Sequence, residues 1–537
     1  MTASYRLGFD IGGTFTDFVL VEERSGEVSL GKCLTTPADP SVGIATGLAQ
    51  VLASSGKSAK DIEIAIHATT LITNALIERK GARTALLATE GFRDILEMAT
   101  EVRYDNYNMA IPMPAPLIPR NLRFDITERL GPQGEVLVAI DLDQVRQVAR
   151  ELRKQEVESV AIAFMHAFRN PGHEIAAEEI LREELPGIPI SRSSVVAPEI
   201  REFERTSTTA ANAYVQPIVQ TYIDRAQDIL SASGYRRTLQ MMVSSGGIAG
   251  AKTVKRLPIR MLESGPTAGV LAAIHFSHAL NIPDLITFDM GGTTAKIGVI
   301  KDHRAKKANT FEFGRVARFM KGSGLPVKIP MIELIEIGAG GGSIAKVDGL
   351  GLLNVGPESA GSNPGPASYG AGGTQPTVTD ANVILGYLDP DYFLGGEMKL
   401  DRNAAVAVFE ETVCSALDIT PEAAARGVYE IVNQNMLGAC KVHIAERGED
   451  PRKFYLFAFG GAGPAHAYEL ARALHMKGVI VPPGAGAASA LGLVVSPVSF
   501  DFSRSLFARL DVIGWEEIAA VFADMLAEGR EVVRAQL

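Results

Sequence analysis

Cysteine is nearly absent from this chain of 537 residues: only Cys33, Cys414 and Cys440 occur. They are far apart, odd in number and form no CxxC pair, which excludes a disulfide framework, a zinc pattern and an iron–sulfur run. Such usage fits a reducing cytoplasm. Long apolar runs are missing as well. Ile480–Val498 comes nearest to the ~18 residues of a membrane span, but its prolines, glycines and serines make it a loop-rich core segment. The opening residues MTASYRLGFD hold no basic stretch followed by an apolar one, so no secretory signal is expected. A net charge of −10 offers no basic surface for nucleic acid and no attraction to anionic membranes.

Familiar catalytic signatures are absent too. Gly56-Lys57-Ser58 has Val51 where a Walker A loop needs its first glycine. Gly338-Ala339-Gly340 continues into Gly341, Gly342 and Ser343, which is not GxGxxG, and there is no GxSxG elbow. His173-Glu174 has Ala177 where a zinc-protease helix needs its second histidine.

What is present is ordinary globular composition, 46% hydrophobic and 21% charged, in a chain long enough for two to four domains. Ile64–His67, Thr84–Ala88 and Val160–Phe164 read as strands; Val42–Ala53, Leu71–Lys80 and Asp143–Gln155 read as helices. That alternation predicts an α/β layer fold. Proline-rich Ile111–Pro119 predicts an exposed loop, and the break at Pro186–Pro198 is expected to end a first domain, 1–198. Glu199–Tyr235 predicts a long helix that Pro217 kinks or breaks. The basic stretch Lys301–Lys328 reads as a solvated loop. Gly338–Gly373, dense in Gly, Pro and Ser, predicts an ordered functional loop. Pro421–Arg447 predicts a helix, Phe454–Phe459 a strand and Trp515–Leu537 a last helix. The remaining units are then 199–500 and the start of a C-terminal segment, 501–537.

The strongest signal is a pattern that occurs twice. Leu7–Val21 reads LGFDIGGTFTDFVLV and Ile286–Ile300 reads ITFDMGGTTAKIGVI. Asp10 falls on Asp289, Gly12 and Gly13 on Gly291 and Gly292, and Thr14 on Thr293, with Thr294 following. Each copy is a strand, an Asp, a Gly-Gly turn, a Thr and a second strand. Glycine lets backbone N–H groups approach phosphate oxygens, and the adjacent carboxylate suits a hard cation such as Mg2+. Two such devices suggest two half-molecules closing on one nucleotide. A third glycine motif, FAFGGAGPAHA at Phe457–Ala467, ends a strand in Gly460, Gly461 and Gly463, where backbone could lie against adenine and ribose. The two hairpins differ at one charged position, Asp17 in the first and Lys296 in the second.

In this order the three elements resemble the phosphate-one, phosphate-two and adenosine motifs of the actin-like ATPase superfamily. Further segments narrow the match: DIGGTFTD (Asp10–Asp17), HATTLITNALIERKGA (His67–Ala82), REFERTSTTAANAYVQP (Arg201–Pro217), ESGPTAG (Glu263–Gly269), GAGGGSIA (Gly338–Ala345) and TVTDAN (Thr377–Asn382). With these the chain resembles the hydantoinase A / 5-oxoprolinase family. The resemblance implies an α/β fold of two ribonuclease-H-like domains with inserted Gly-rich loops and ATP in the cleft between them. It implies a subunit that phosphorylates the carbonyl oxygen of a lactam or cyclic imide of the hydantoin, 5-oxoproline or caprolactam type.

The same resemblance assigns roles. Asp10 and Asp289 would hold Mg2+ (or Mn2+), partly through water, and serve catalysis together with Asp17. Gly12, Gly13, Thr14, Gly291, Gly292, Thr293, Thr294, Gly460, Gly461 and Gly463 would hold ATP. His67, Gly340 and Gly341 would meet the substrate, with a hydrogen-bonded structural role as the competing reading for His67. Asp17 either orients substrate or phosphate, or caps its turn. A hydantoinase B-type subunit is the implied partner, and it could carry a further metal. Family members continue well past Leu537, so a truncated chain, or a last helix finished by a partner, is expected. Two alternatives stand beside this reading: a subunit of an ATP-dependent ketone carboxylase of the acetone or acetophenone type, with bicarbonate as co-substrate, and an ATP-driven chaperone or reactivating factor.

Overall fold

The computed structural model describes residues 4–36, 39–317, 320–509 and 511–534. Alternating apolar residues turn the first motif into a hairpin of Tyr5–Ile11 and Phe15–Glu22, with Leu7, Phe9, Phe18 and Leu20 buried. In its register Asp10 stands opposite Asp17. Val28–Leu34 joins Phe15–Glu22 antiparallel, and Ile62–Thr69 joins Tyr5–Ile11 parallel after the helix Pro40–Ser55. Asp39 caps that helix by accepting from Ser41 N–H at 3.1 Å. Gln240–Met242 and Ile248–Gly250 complete a six-stranded sheet. Gln240–Met242 pairs with Ile62–Thr69, so this sheet takes strands from both sides of residue 198, where a domain was expected to end.

A second sheet is inserted between these strands. Its four strands, Ile190–Arg192, Ser159–Ala163, Thr84–Thr89 and Arg123–Ile126, are all parallel and have a core of their own. Thr84–Thr89 is buried along its whole length, as expected of a parallel strand covered on both faces.

The third sheet repeats the pairing of the first. Leu285–Met290 and Ala295–Lys301 form the hairpin, Leu334–Ile337 joins the second strand antiparallel, and Tyr455–Phe459 joins the first strand parallel, followed by Val479–Ile480. Asp289 stands opposite Lys296, as Asp10 stands opposite Asp17. The first and third sheets have separate cores and form a first and a second lobe.

Two helices join the lobes. Ser264–Leu280 and Ala488–Val494 cross closely, with the carbonyl oxygen of Ala268 1.8 Å from where a Cβ on Gly492 would stand. Ala488–Val494 also lies on strand Tyr5–Ile11, its Ala490 carbonyl 2.3 Å from where a Cβ on Gly8 would stand. An arm of the second lobe, the strand pair Phe311–Phe313 and Leu325–Val327, reaches back the other way. It buries Phe313, Leu325, Val327 and Ile329 in the first core. Part of the stretch expected to be a solvated loop is thus a packed arm, because apolar residues are interleaved with its charges.

The helix Glu202–Ala232 runs through Pro217 without ending there; it is buried along much of its length, and that packing outweighs the cost of about 3 kcal/mol for an interior proline. Gly338–Gly373 contains an antiparallel strand pair, Ser343–Val347 and Leu353–Ser359. The last helix spans Trp515–Arg534, and the expected end at 535–537 lies outside the described residues. No described helix is long and apolar enough to cross a membrane.

Candidate active site between the lobes

The two hairpin turns close alike: Gly12 N–H donates to Phe15 O at 2.9 Å, and Gly291 N–H donates to Thr294 O at 3.1 Å. Their tips meet across the lobes. A Cβ on Gly292 would stand 2.5 Å from Thr14 Oγ1, and one on Gly13 3.7 Å from Thr293 Oγ1. Glycine at 292 is therefore a steric requirement of this approach. The backbone N–H groups of Gly13, Thr14, Gly292 and Thr293 donate to no protein acceptor among the described residues. Gly13 and Thr293 are exposed.

The third motif arrives at the same place. Gly460 has φ +81°, with Asp289 Oδ1 and Met290 O each 2.5 Å from its missing Cβ. Ala462 N–H donates to Met290 O at 2.9 Å, Gly461 is exposed, and Gly463 begins the helix Gly463–Ala473. Gly340 and Gly341 are buried behind the second turn, where Gly341 N–H donates to Gly291 O at 3.0 Å and Gly342 N–H to Gly292 O at 2.7 Å. They brace the turn, and their placement gives no direct sign of a substrate surface.

Asp10 fits into space left by Gly265, whose Cβ would stand 2.8 and 2.9 Å from the two carboxylate oxygens. Its Oδ1 is buried and has no hydrogen-bond partner among the described residues. Burial, then the charges of Asp17 and Asp289, push the Asp10 carboxyl up to about 7. Burial likewise pushes Asp289 up to about 6, against the opposing charge of Lys296. Asp17 is also raised by burial, although Lys32 is paired with it. An all-oxygen donor set with an orphaned carboxylate oxygen suits a hard divalent cation. Among the described residues no three His, Cys, Asp or Glu converge as a ready-made cage. Mg2+ needs no such cage, because it is usually held by one or two carboxylates, water and phosphate.

These shifts carry a sign. Both folded carboxyls titrate above the unfolded value of 3.8, so their stabilising contribution is full below about pH 4 and is lost as pH rises through 6 to 7. The ligand-free protein therefore gains thermal stability from these groups when taken from about pH 8 to about pH 5. Thermal melts of the parent and of Asp10→Asn/Asp289→Asn check this; an identical pH dependence in the two would refute it.

His67 is not at this junction. It is fully buried in the first lobe, its ring stacked on Phe9 with centroids 4.2 Å apart. Nδ1 is bonded to Phe9 O at 2.9 Å and Nε2 to the Tyr222 hydroxyl at 2.6 Å. Burial lowers its pKa to about 4, so the ring is neutral. The geometry supports the structural role. His67→Leu is expected to cost about 1–3 kcal/mol by orphaning these partners, while nucleotide affinity stays at the parent value. Urea unfolding and nucleotide titration on one preparation test both halves.

Sequence reasoning missed several neighbours. Lys32 faces Asp17 from the third strand of the sheet, a pairing with no local spacing to reveal it. Glu263 and Gly265 lie in the ESGPTAG segment, whose pattern was visible while its contacts were not. Lys296 Nζ donates to Glu263 Oε2 at 2.5 Å and lies 3.7 Å from Glu336 Oε1. Burial opposes its charge, but Glu263 and Glu336 outweigh it and keep the ammonium protonated above the usual lysine range.

Comparison with known proteins gives a family and solved structures of similar fold. The family model described as hydantoinase/oxoprolinase matches residues 205–501, and the hydantoinase/oxoprolinase N-terminal region matches 6–185. Caprolactamase subunit alpha of Pseudomonas jessenii is 37% identical over 513 residues, covering 94% of this chain and 72% of that protein. The crystal structure of the ATP-dependent caprolactamase from the same organism superposes with a TM-score of 0.82 at 36% identity, over 98% of this chain and 76% of that one. A nucleotide-free acetone carboxylase superposes with a TM-score of 0.84 at 27% identity, over 100% of this chain and 76% of that one.

Proposed function

The chain belongs to the hydantoinase/oxoprolinase family, and from that premise we propose that it is the ATP-binding subunit of an ATP-dependent enzyme that opens a lactam or cyclic imide. The observation that carries this reading is the meeting of the two turns. Four unpartnered N–H groups, on Gly13, Thr14, Gly292 and Thr293, stand beside the raised carboxyls of Asp10 and Asp289. The repeated strand order of the first and third sheets supports reading the lobes as two ribonuclease-H-like domains of the actin-like ATPase kind. The family models support 1–198 and 199–500 as its two sequence units.

The chemistry follows from the substrate. Nitrogen donation makes an unactivated lactam carbonyl a poor electrophile. Moving the γ-phosphoryl group of ATP to the carbonyl oxygen releases ADP and leaves an imidate-like phosphate. Water then adds to that carbon, the ring nitrogen takes up a proton and leaves to give an open-chain acyl phosphate, and a second water releases phosphate and the amino acid. Such transfer depends on positioning and charge stabilisation. In this chain the N–H groups of the two turns hold phosphate oxygens, and Gly460, Gly461 and Gly463 receive the adenosine end. Asp10 and Asp289 would hold Mg2+ or Mn2+, which would offset charge developing on the transferred group. Asp17, held by Lys32, orients the reacting groups beside Asp10. A hydantoinase B-type subunit supplies the site for attack of water.

The likeness to acetone carboxylase keeps a ketone carboxylase as the second reading. Co-expression with a B-type partner, and assay of lactam-dependent ADP release with and without bicarbonate, separates them. The expected product is the ring-opened amino acid. A carboxylated ketone formed only with bicarbonate would replace this reading by the second. ADP release that answers only to a client protein would sink both.

A further inference from the structure

We propose that the Lys296–Glu263 ion pair is the cross-lobe tie that sets the spacing between Asp289 and Asp10. Glu263 belongs to the first lobe by its contacts. Its Oε1 accepts from Thr73 Oγ1 at 3.0 Å. The next residue, Ser264, is bonded through Oγ to both N–H and C=O of Thr69 at 3.2 Å. Lys296 belongs to the second lobe. It faces Asp289 across the hairpin and Glu336 across the next strand. The pair therefore continues a chain of contacts, Thr73–Glu263–Lys296–Glu336, from one lobe to the other.

Three features make this more than an incidental contact. Both partners are buried, Lys296 at 7% and Glu263 at 3% exposure. Drawing the lobes apart here would leave two buried charges unpaired, which is strongly unfavourable. Glu263 also holds a left-handed backbone, φ +58°, at a residue with a side chain. Such a conformation persists only where the surroundings over-determine it, and it clusters at functional sites. Finally, the tie lies where the repeated hairpins differ. In the first lobe the matching position is Asp17, and its lysine, Lys32, stands one strand further out. Lys32 in turn donates to Gly486 O at 3.1 Å, on the segment that crosses between the lobes. Each lobe thus has a lysine beside its hairpin with one ion pair inside the lobe and one contact leaving it. Lys296 and Glu263 are positioning residues: they act on the reaction through the aspartates.

The inference rests on the proposed function only for its turnover arm. Cys33, Cys414 and Cys440 are buried, so nitroxide labels go to introduced cysteines. Ala53→Cys in the first lobe and Gln434→Cys in the second lie on exposed helix positions. Electron–electron double resonance between these labels reads the lobe separation directly. The parent should give one narrow distance. The variant Lys296→Met/Glu263→Gln removes both charges of the tie together, and Glu336, whose side chain is one-third exposed, is left to water. It should melt close to the parent, broaden the distance distribution and lower kcat by about 10²-fold, the scale of a 1 Å misplacement, at unchanged substrate KM. Thr73→Val keeps both charges, removes only the first-lobe anchor of Glu263 and should broaden the distribution in the same direction. It decides the matter if the double variant fails to fold. An unchanged distribution, or a broadened one with parental kcat, overturns the tie. A parent with no lactam-dependent ADP release overturns the proposed function instead, and the distance measurement still decides the tie.

Discussion

Alanine at Asp10 or at Asp289 lowers lactam-dependent ADP formation by at least ~10²-fold, the scale of losing one group aimed at developing charge. The same substitutions stabilise the ligand-free fold. Asp10 is raised to about 7 and Asp289 to about 6 mainly by burial, so ionising either at neutral pH is unfavourable, and alanine removes that cost. Greater stability with less activity is the signature of a site built for a ligand. It cannot be produced by misfolding. Thermal melts and a coupled ADP assay on one preparation read both quantities, and near-parental turnover in both variants would remove the assignment.

Gly460→Ala has the second large effect. At φ +81° an alanine pays about 1–2 kcal/mol in backbone conformation. Its methyl would also stand 2.5 Å from Asp289 Oδ1 and 2.5 Å from Met290 O. The carbonyl is held in place by Ala462 N–H, so it cannot simply turn away. Overpacking of this kind adds about 1–3 kcal/mol. The expected result is a lower melting temperature together with loss of nucleotide binding, because the displaced carboxylate is Asp289. Gly461→Ala is the control. Nothing lies within 4 Å of that missing Cβ, so its melting temperature should match the parent. Equal behaviour of the two variants would contradict the geometry.

The contrast between these neighbouring glycines also marks how far sequence could be read. The two hairpins were legible because strand alternation, a Gly-Gly turn and an aspartate at the strand end are local features with a fixed period. The doubled pattern further implied two similar lobes, and the first and third sheets do share a strand order. What failed to appear in the sequence depends on pairing at a distance. Lys32 reaches Asp17 through sheet register, and Glu263 reaches Lys296 across the lobes. A domain end is expected at 198, and one sheet nevertheless collects strands at 62–69 and again at 240–242, a pairing no local feature announces. Pro217 was read by its local cost, which the buried surroundings of its helix overcame. His67 lies in a segment shared with the family, yet its ring is used inside the core.

The contact of Gly8 with Ala490 has a bearing on biosynthesis. The strand that carries Asp10, Tyr5–Ile11, leaves the ribosome long before the helix that covers it, Ala488–Val494. The core beneath the first lobe also waits for Phe313, Leu325, Val327 and Ile329. Domains usually fold as units in the order of their synthesis. Here the first lobe is completed late, so its unpaired apolar surface stays open while the second lobe is being made. Non-local closure of this kind is slow and exposed to aggregation, which makes a nascent-chain chaperone a natural requirement for producing this enzyme in quantity.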